Sequence, residues 1–157
     1  MSKKRVAILF DNFGPYHLAR IRALAALHDL LAVQFGLQSR DYAWKPSASE
    51  EPFQIQTINS EGSGADLPRH DFASRLAGVL STFAPDVVLV PGWGFRGSLM
   101  AISWCLDQMC PFVVMSESTP WDSQRSLWRE WLKGRVVRLA SAALAGGTPH
   151  REYLEKL

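Results

Sequence analysis

PDVVLVPGWGFRGSLMAISWCLDQMCPFVVMSES, residues 85–118, sets two short apolar runs, Val87–Val90 and Phe112–Met115, on either side of a segment in which Phe95, Leu99, Ile102, Leu106 and Met109 recur at helical spacing. This is the pattern of a strand, a helix and a second, parallel strand. Pro85 and Pro111 stand just ahead of the two runs, where proline ends a preceding helix without removing a hydrogen bond from the sheet. Pro91-Gly92-Trp93-Gly94 follows the first run and Ser116-Glu117-Ser118-Thr119 the second. Ligands of open parallel sheets bind outside the carboxyl ends of the strands, so both loops are expected on the binding edge.

The rest of the chain repeats this alternation. Val6–Phe10 is a continuous apolar run, as for a central strand covered on both faces. Asp11-Asn12-Phe13-Gly14-Pro15 makes a turn with Pro15 suited to the first helical position, and a helix to about His28 is expected to bury Leu18, Ile21, Leu24 and Ala25. Leu30–Phe35 reads as a strand, Gln38–Pro52 as a long polar connection, and Phe53–Ile58, which alternates, as a strand nearer the sheet edge. Asn59–Pro68 reads as a mobile loop. Phe72, Leu76, Val79, Leu80 and Phe83 form a helical stripe, and Ser123–Leu139 repeats the period through Leu127, Trp131 and Leu132. Ala142–Ala145 is a short last strand, and Gly146-Gly147-Thr148-Pro149 opens a terminal helix with Thr148 as N-cap and Pro149 at its first position. The expected fold is a single α/β domain over residues 1–157, a Rossmann-like doubly wound parallel sheet flanked by helices.

At 157 residues, 47% of them hydrophobic and 20% charged, the chain can bury a core of its own. No apolar run reaches membrane-spanning length and the basic start leads straight into a strand, so a cytoplasmic protein is expected. A net charge of only +2 leaves partners to local patches, and nucleic acid is not expected among them. Cys105 and Cys110 lack CxxC spacing and read as free thiols rather than as a disulfide or metal site. The first turn has one glycine where a dinucleotide fingerprint has three, and GxxxxGK[ST] is absent. A response-regulator receiver is also disfavoured, because Asp11 has no acidic neighbours after the first strand.

Several polar or aromatic residues fall on the expected binding edge. His17 is either a capping or surface residue or a hydrogen-bonding ligand. Trp93, between two glycines, either anchors the core or stacks on a sugar ring. Glu117 can accept hydrogen bonds from hydroxyl groups or act as a base, or else cap the next helix; Asp122 is a similar case. Gly14 at a helix start lets backbone N–H groups meet a phosphate, or simply makes a tight turn. Arg125, Arg129 and Lys133, four apart, share a helix face near Trp121, Trp128 and Trp131. That is a basic amphipathic helix suited to anionic lipid, or a solvated face with tryptophans in the core.

VAILFDNFGPYHLARIRAL, PDVVLVPGWG, PFVVMSES and ASAALAGGTPHREYLEKL, in this order and over nearly the whole chain, resemble the N-terminal, acceptor-binding domain of GT-B fold glycosyltransferases, similar to the family-four retaining enzymes. The resemblance implies sugar transfer from a nucleotide-sugar donor to a glycan or lipid-linked acceptor, in a cleft between two Rossmann-like domains. It implies no metal and no cofactor, the nucleotide-sugar being a substrate. By position Gly14 would face the donor phosphates, while His17, Trp93, Gly94, Glu117, Ser118 and Asp122 would form the acceptor side, with Glu117 as the catalytic residue. Arg125, Arg129 and Lys133 would face the membrane, placing the protein peripherally at its inner surface. The chain departs from the family in having a single glycine at Gly14 where a pair is common, and Pro91-Gly92 where some members carry a histidine. The C-terminal donor-binding domain is not in the chain, so a half-enzyme is expected, inactive alone and completed by that domain in cis or in trans. The alternative is a non-catalytic Rossmann-like binding module or accessory subunit of a separate transferase.

Overall fold

A computed structural model describes residues 3–38, 51–122 and 126–157. Its elements alternate as β1 (Arg5–Phe10), α1 (Pro15–Ala25), β2 (Asp29–Gly36), β3 (Gln54–Asn59), α2 (Arg69–Phe83), β4 (Val87–Pro91), α3 (Arg96–Asp107), β5 (Phe112–Ser116), α4 (Leu127–Val137), β6 (Ala142–Ala145) and α5 (Thr148–Lys156). All six strands are parallel in the order β3-β2-β1-β4-β5-β6, with Ile8 of β1 paired to Ala32 on one side and Leu89 on the other. The chain winds outward from β1 to β3, then crosses back to β4. This is the doubly wound order, and its switch point lies between β1 and β4.

Alternate residues of β1 feed two apolar layers. Ala7 and Leu9 join Phe72, Leu76, Leu80 and Phe83 of α2, together with Ala101, Ile102 and Cys105 of α3. Val6, Ile8 and Phe10 point the other way, onto Leu18 and Ile21 of α1. Each large side chain fully buried in this way contributes about 1.5–3 kcal/mol of transfer free energy, and β1, the expected central strand, is buried at five of its six residues.

Several expectations are corrected. The helix after β1 ends at Ala25, and Leu24 and Ala25 are only partly buried. The stripe expected for α3 does not face the core, since Phe95, Leu99, Leu106 and Met109 are exposed while Gly97, Ser98, Ala101, Ile102 and Cys105 are buried. Small residues win because α3 packs close: a Cβ on Gly97 would lie 2.7 Å from the Phe35 ring and 2.8 Å from that of Phe72. Leu127, Trp131 and Leu132 of α4 are likewise exposed. The segment expected as a mobile loop, Asn59–Pro68, instead packs a short 3₁₀ turn at Gly64–Asp66 against the end of β2, with Asn59 Nδ2 donating to the Ser63 carbonyl at 2.8 Å and Gly62, Ser63 and Gly64 buried. At the start of α5 the capping position is held by Gly147, which moves Thr148 and Pro149 one place into the helix. Most of the Gln38–Pro52 connection lies outside the described residues.

Cys105 and Cys110 are free thiols, and burial pushes Cys105 up to about 12, which leaves it unreactive as a nucleophile. Among the described residues no helix is long and apolar enough to cross a membrane.

Candidate functional site

The carboxyl ends of β1, β4, β5 and β6 converge with α1 on one cleft of about 440 Å³, at the switch point of the sheet. Asp11 and Asn12 enter it from β1, Gly92 to Phe95 from β4, Ser116 to Ser118 from β5 and Gly146 from β6, while His17 and Arg20 come from α1. Phe10, Met115 and Leu144 supply apolar wall. The cleft therefore combines an apolar surface with two acids, Asp11 and Glu117, one arginine, hydroxyls and a neutral imidazole.

The loop after β1 is held from beneath. Asn12 Nδ2 donates to the carbonyls of Gly36 and Leu37 at 3.0 and 2.9 Å, and Phe13 N–H donates to Gln34 Oε1 at 3.3 Å. Among the described residues Asn12 Oδ1, which is buried, has no hydrogen-bond partner. At the start of α1 the Gly14 N–H donates to His17 Nδ1 at 3.0 Å, a cap on the helix, and Gly14 itself is buried. With Nδ1 accepting, neutral His17 carries its hydrogen on Nε2 and offers a donor. Burial, then the neighbouring Arg20 charge, hold His17 below its usual 6.5, with Glu117 opposing them. The ring also lies 4.4 Å from that of Phe10.

Glu117 is largely exposed at the end of β5, with Oε1 3.5 Å from Arg20 Nη1. A pair so long and so open to water contributes little to stability and is easily exchanged for a ligand contact. The Arg20 guanidinium also lies 5.3 Å from the Tyr16 ring. Gly146 makes room for the acid, since a Cβ there would meet Glu117 Cγ at 2.9 Å. Trp93 is half-buried against the core and also lines the cleft. Gly92 holds a φ of +61° that lets the chain turn after β4, and Gly94 is exposed with open space where a side chain would be.

His17, Trp93, Gly94, Glu117 and Ser118 thus share one cleft. Asp122 does not join them. It accepts hydrogen bonds from Thr119 N–H at 2.6 Å and from the Thr119 hydroxyl, and these bonds hold its carboxyl below the usual range. Its role is local, tying down the turn beyond β5. Arg20, Asn12 and Gly146 were missed by the sequence reading. Arg20 had a signal, since it follows His17 by three residues on the same helix face.

The basic face expected on α4 is also rearranged. Arg125 lies outside the described residues, and Lys133 turns inward, its Nζ 2.9 Å from Glu130 Oε1 and 3.2 Å from the Tyr153 hydroxyl. Those two contacts raise its pKa, the Glu130 bond most. Arg129 remains exposed. Among the described residues no group of three or more His, Cys, Asp or Glu is placed to hold a metal ion.

No protein-family model matches the chain, and no curated protein matches it. Solved structures do. The UDP-N-acetylglucosamine 2-epimerase from Rickettsia bellii is similar at a TM-score of 0.60 and 14% identity, over 98% of this chain and 42% of that one. A second UDP-N-acetylglucosamine 2-epimerase gives a TM-score of 0.59 at 16% identity, over 99% and 45%. The UDP-GlcNAc 2-epimerase from Neisseria meningitidis, bound to UDP-GlcNAc, gives 0.54 at 14%, over 97% and 42%. The chain spans less than half the length of these structures, and the likeness is one of fold, to the GT-B-like architecture they share.

Proposed function

We propose that this chain is the acceptor-side half of a glycosyltransferase that takes its sugar from a nucleotide-sugar donor. The observation that carries this reading is the meeting of Trp93, Glu117, His17 and Arg20 in one partly apolar cleft at the switch point of the sheet. A pyranose has an apolar face and a rim of hydroxyls, so an indole beside a carboxylate and an imidazole donor suits it. In this reading Trp93 takes the sugar face, Glu117 accepts a hydrogen bond from the acceptor hydroxyl that reacts, and Arg20 and His17 Nε2–H hold neighbouring oxygens. The donor nucleotide is held by a second Rossmann-like half, in cis or in trans, and no resident cofactor is required. The acceptor is a glycan or a lipid-linked sugar, and the work is done on the cytoplasmic side. The fold shared with nucleotide-sugar enzymes supports the reading.

The same likeness favours one other reading, half of an epimerase whose substrate is the nucleotide-sugar itself, with no separate acceptor. Ligand-observed NMR with Trp93→Ala as control separates them. The transferase reading expects oligosaccharides to bind this chain weakly, through Trp93, with UDP adding nothing and no nucleotide-sugar turned over. Binding of UDP-GlcNAc with no response to any glycan would favour the epimerase. Turnover by this chain alone would overturn both assignments of a separate donor half.

A further inference from the structure

Helix α4 has two unlike faces. Gly134 is buried, Glu130, Lys133, Val136 and Val137 are half-buried, and Glu130 with Lys133 closes on the Tyr153 hydroxyl of α5. The outward arc holds Leu127, Trp128, Trp131 and Leu132, which are 91%, 63%, 65% and 49% exposed. At about 100° per residue these four and Arg135 fall within about 140° of the helix circumference. Arg129 lies 5.6 Å from the Trp128 ring and Arg135 5.4 Å from that of Trp131.

We propose that this outward face of α4 lies in the surface of an anionic bilayer. The inward pairing of Glu130 removes the one acid of the helix from the contact, leaving leucines, indoles and arginines together. Indoles settle at the boundary between hydrocarbon and headgroup, leucines enter the acyl boundary, and arginine reaches outward to lipid phosphate. An 11-residue helix, far too short to span a bilayer, lies flat along it. A second copy of the chain fits less well, because a two-fold contact through this face would gather the arginines of both copies in one interface with no outward acid of the helix to meet them. The contact is independent of which sugar reaction the cleft performs.

The test is flotation of the full chain with vesicles of phosphatidylcholine alone and with one third phosphatidylglycerol, read alongside tryptophan emission. Binding is expected to be at least ten-fold stronger with phosphatidylglycerol, to shift emission to the blue, and to fade at 0.5 M salt, where the Debye length is only about 4 Å. Trp128→Ser with Trp131→Ser, and separately Arg129→Glu with Arg135→Glu, should abolish it with the melting temperature unchanged, since all four side chains are surface-exposed. Lys133→Gln should lower the melting temperature and leave vesicle binding in place. Binding indifferent to phosphatidylglycerol, or none, overturns the proposal. So does concentration-dependent dimerisation abolished by the tryptophan pair, which would make the face a protein interface.

Discussion

The His17 imidazole can accept the Gly14 N–H only while Nδ1 keeps its lone pair, so protonating the ring and capping α1 exclude one another. Burial first and Arg20 second depress its pKa below 6.5, while Glu117 raises it. A depressed base binds fewer protons folded than unfolded, so its contribution is present above about pH 6.5 and lost as pH falls from there through the folded value. In an NMR titration the His17 midpoint is expected below 6.5, lower still in Glu117→Gln and higher in Arg20→Gln. A midpoint at or above 6.5 would contradict the buried, capping placement. His17→Ala should remove about 1 kcal/mol of stability with the cap. Glu117→Gln should change stability by less than about 1 kcal/mol, its ion pair being exposed, yet, on the function proposed above, slow sugar transfer by the two-domain enzyme at least ten-fold, a loss of about 1.4 kcal/mol or more. Unchanged kinetics with a lowered melting temperature would show instead that Glu117 is structural. His17 and Glu117 could be placed on the binding edge from sequence because each follows an apolar run. Arg20 shares a helix face with His17, but its pairing with Glu117, 97 residues away, could be seen only after folding.

At the scale of elements, helix α3 shows what periodicity leaves open. The arcs Phe95-Leu99-Ile102-Leu106 and Ser98-Ala101-Ile102-Cys105 overlap at Ile102, and hydropathy alone favours the first. Close approach to Phe35 and Phe72 selects the second, because only small side chains leave the room. Gly97→Ala should therefore cost on the order of 1–3 kcal/mol through overpacking, although alanine is the better helix former. A neutral or stabilising result in urea unfolding would mean that the rings give way. Helix ends supply the opposite case. Ala84 after α2 and Met109 after α3 sit at φ of 49° and 52°, and both are exposed. At Met109 the Cys110 N–H reaches back to the Cys105 carbonyl at 2.8 Å, the six-to-one bond of a Schellman cap whose left-handed residue is normally glycine. Ala84→Gly and Met109→Gly should each stabilise by about 1 kcal/mol, raising Tm by about 2–4 °C in a domain of this size. Loss of Tm in both would show that these backbones are not strained.

At the scale of the molecule, the alternation of apolar runs with helical stripes made the parallel sheet readable, since each run had to be covered on both faces. The cleft was harder to read, because its walls come from loops after four strands and local periodicity carries no record of which loops meet. The same topology grades the sheet in stability. β1 is paired on both sides and covered by α1 on one face and by α2 with α3 on the other. Among the described residues β6 is paired only to β5, and Ala142, Ala143 and Leu144 are exposed. α4, beside it, meets the body through a polar triad and the edge of one apolar layer. Opening β6 and α4 exposes little further apolar surface, whereas opening β1 takes both layers with it, so amides in the two regions should exchange by different routes. In native-state hydrogen exchange, β1 and β4 are expected to open only with global unfolding and to track denaturant with its full slope. β6 and α4 should exchange through local opening, orders of magnitude faster and with little denaturant dependence. Anionic vesicles, if they take the outward face of α4, should slow exchange in α4 while leaving β1 unchanged. Equal protection of β6 and β1 in the free chain would mean that the sheet opens as one unit and that its exposed edge is no weaker than its centre.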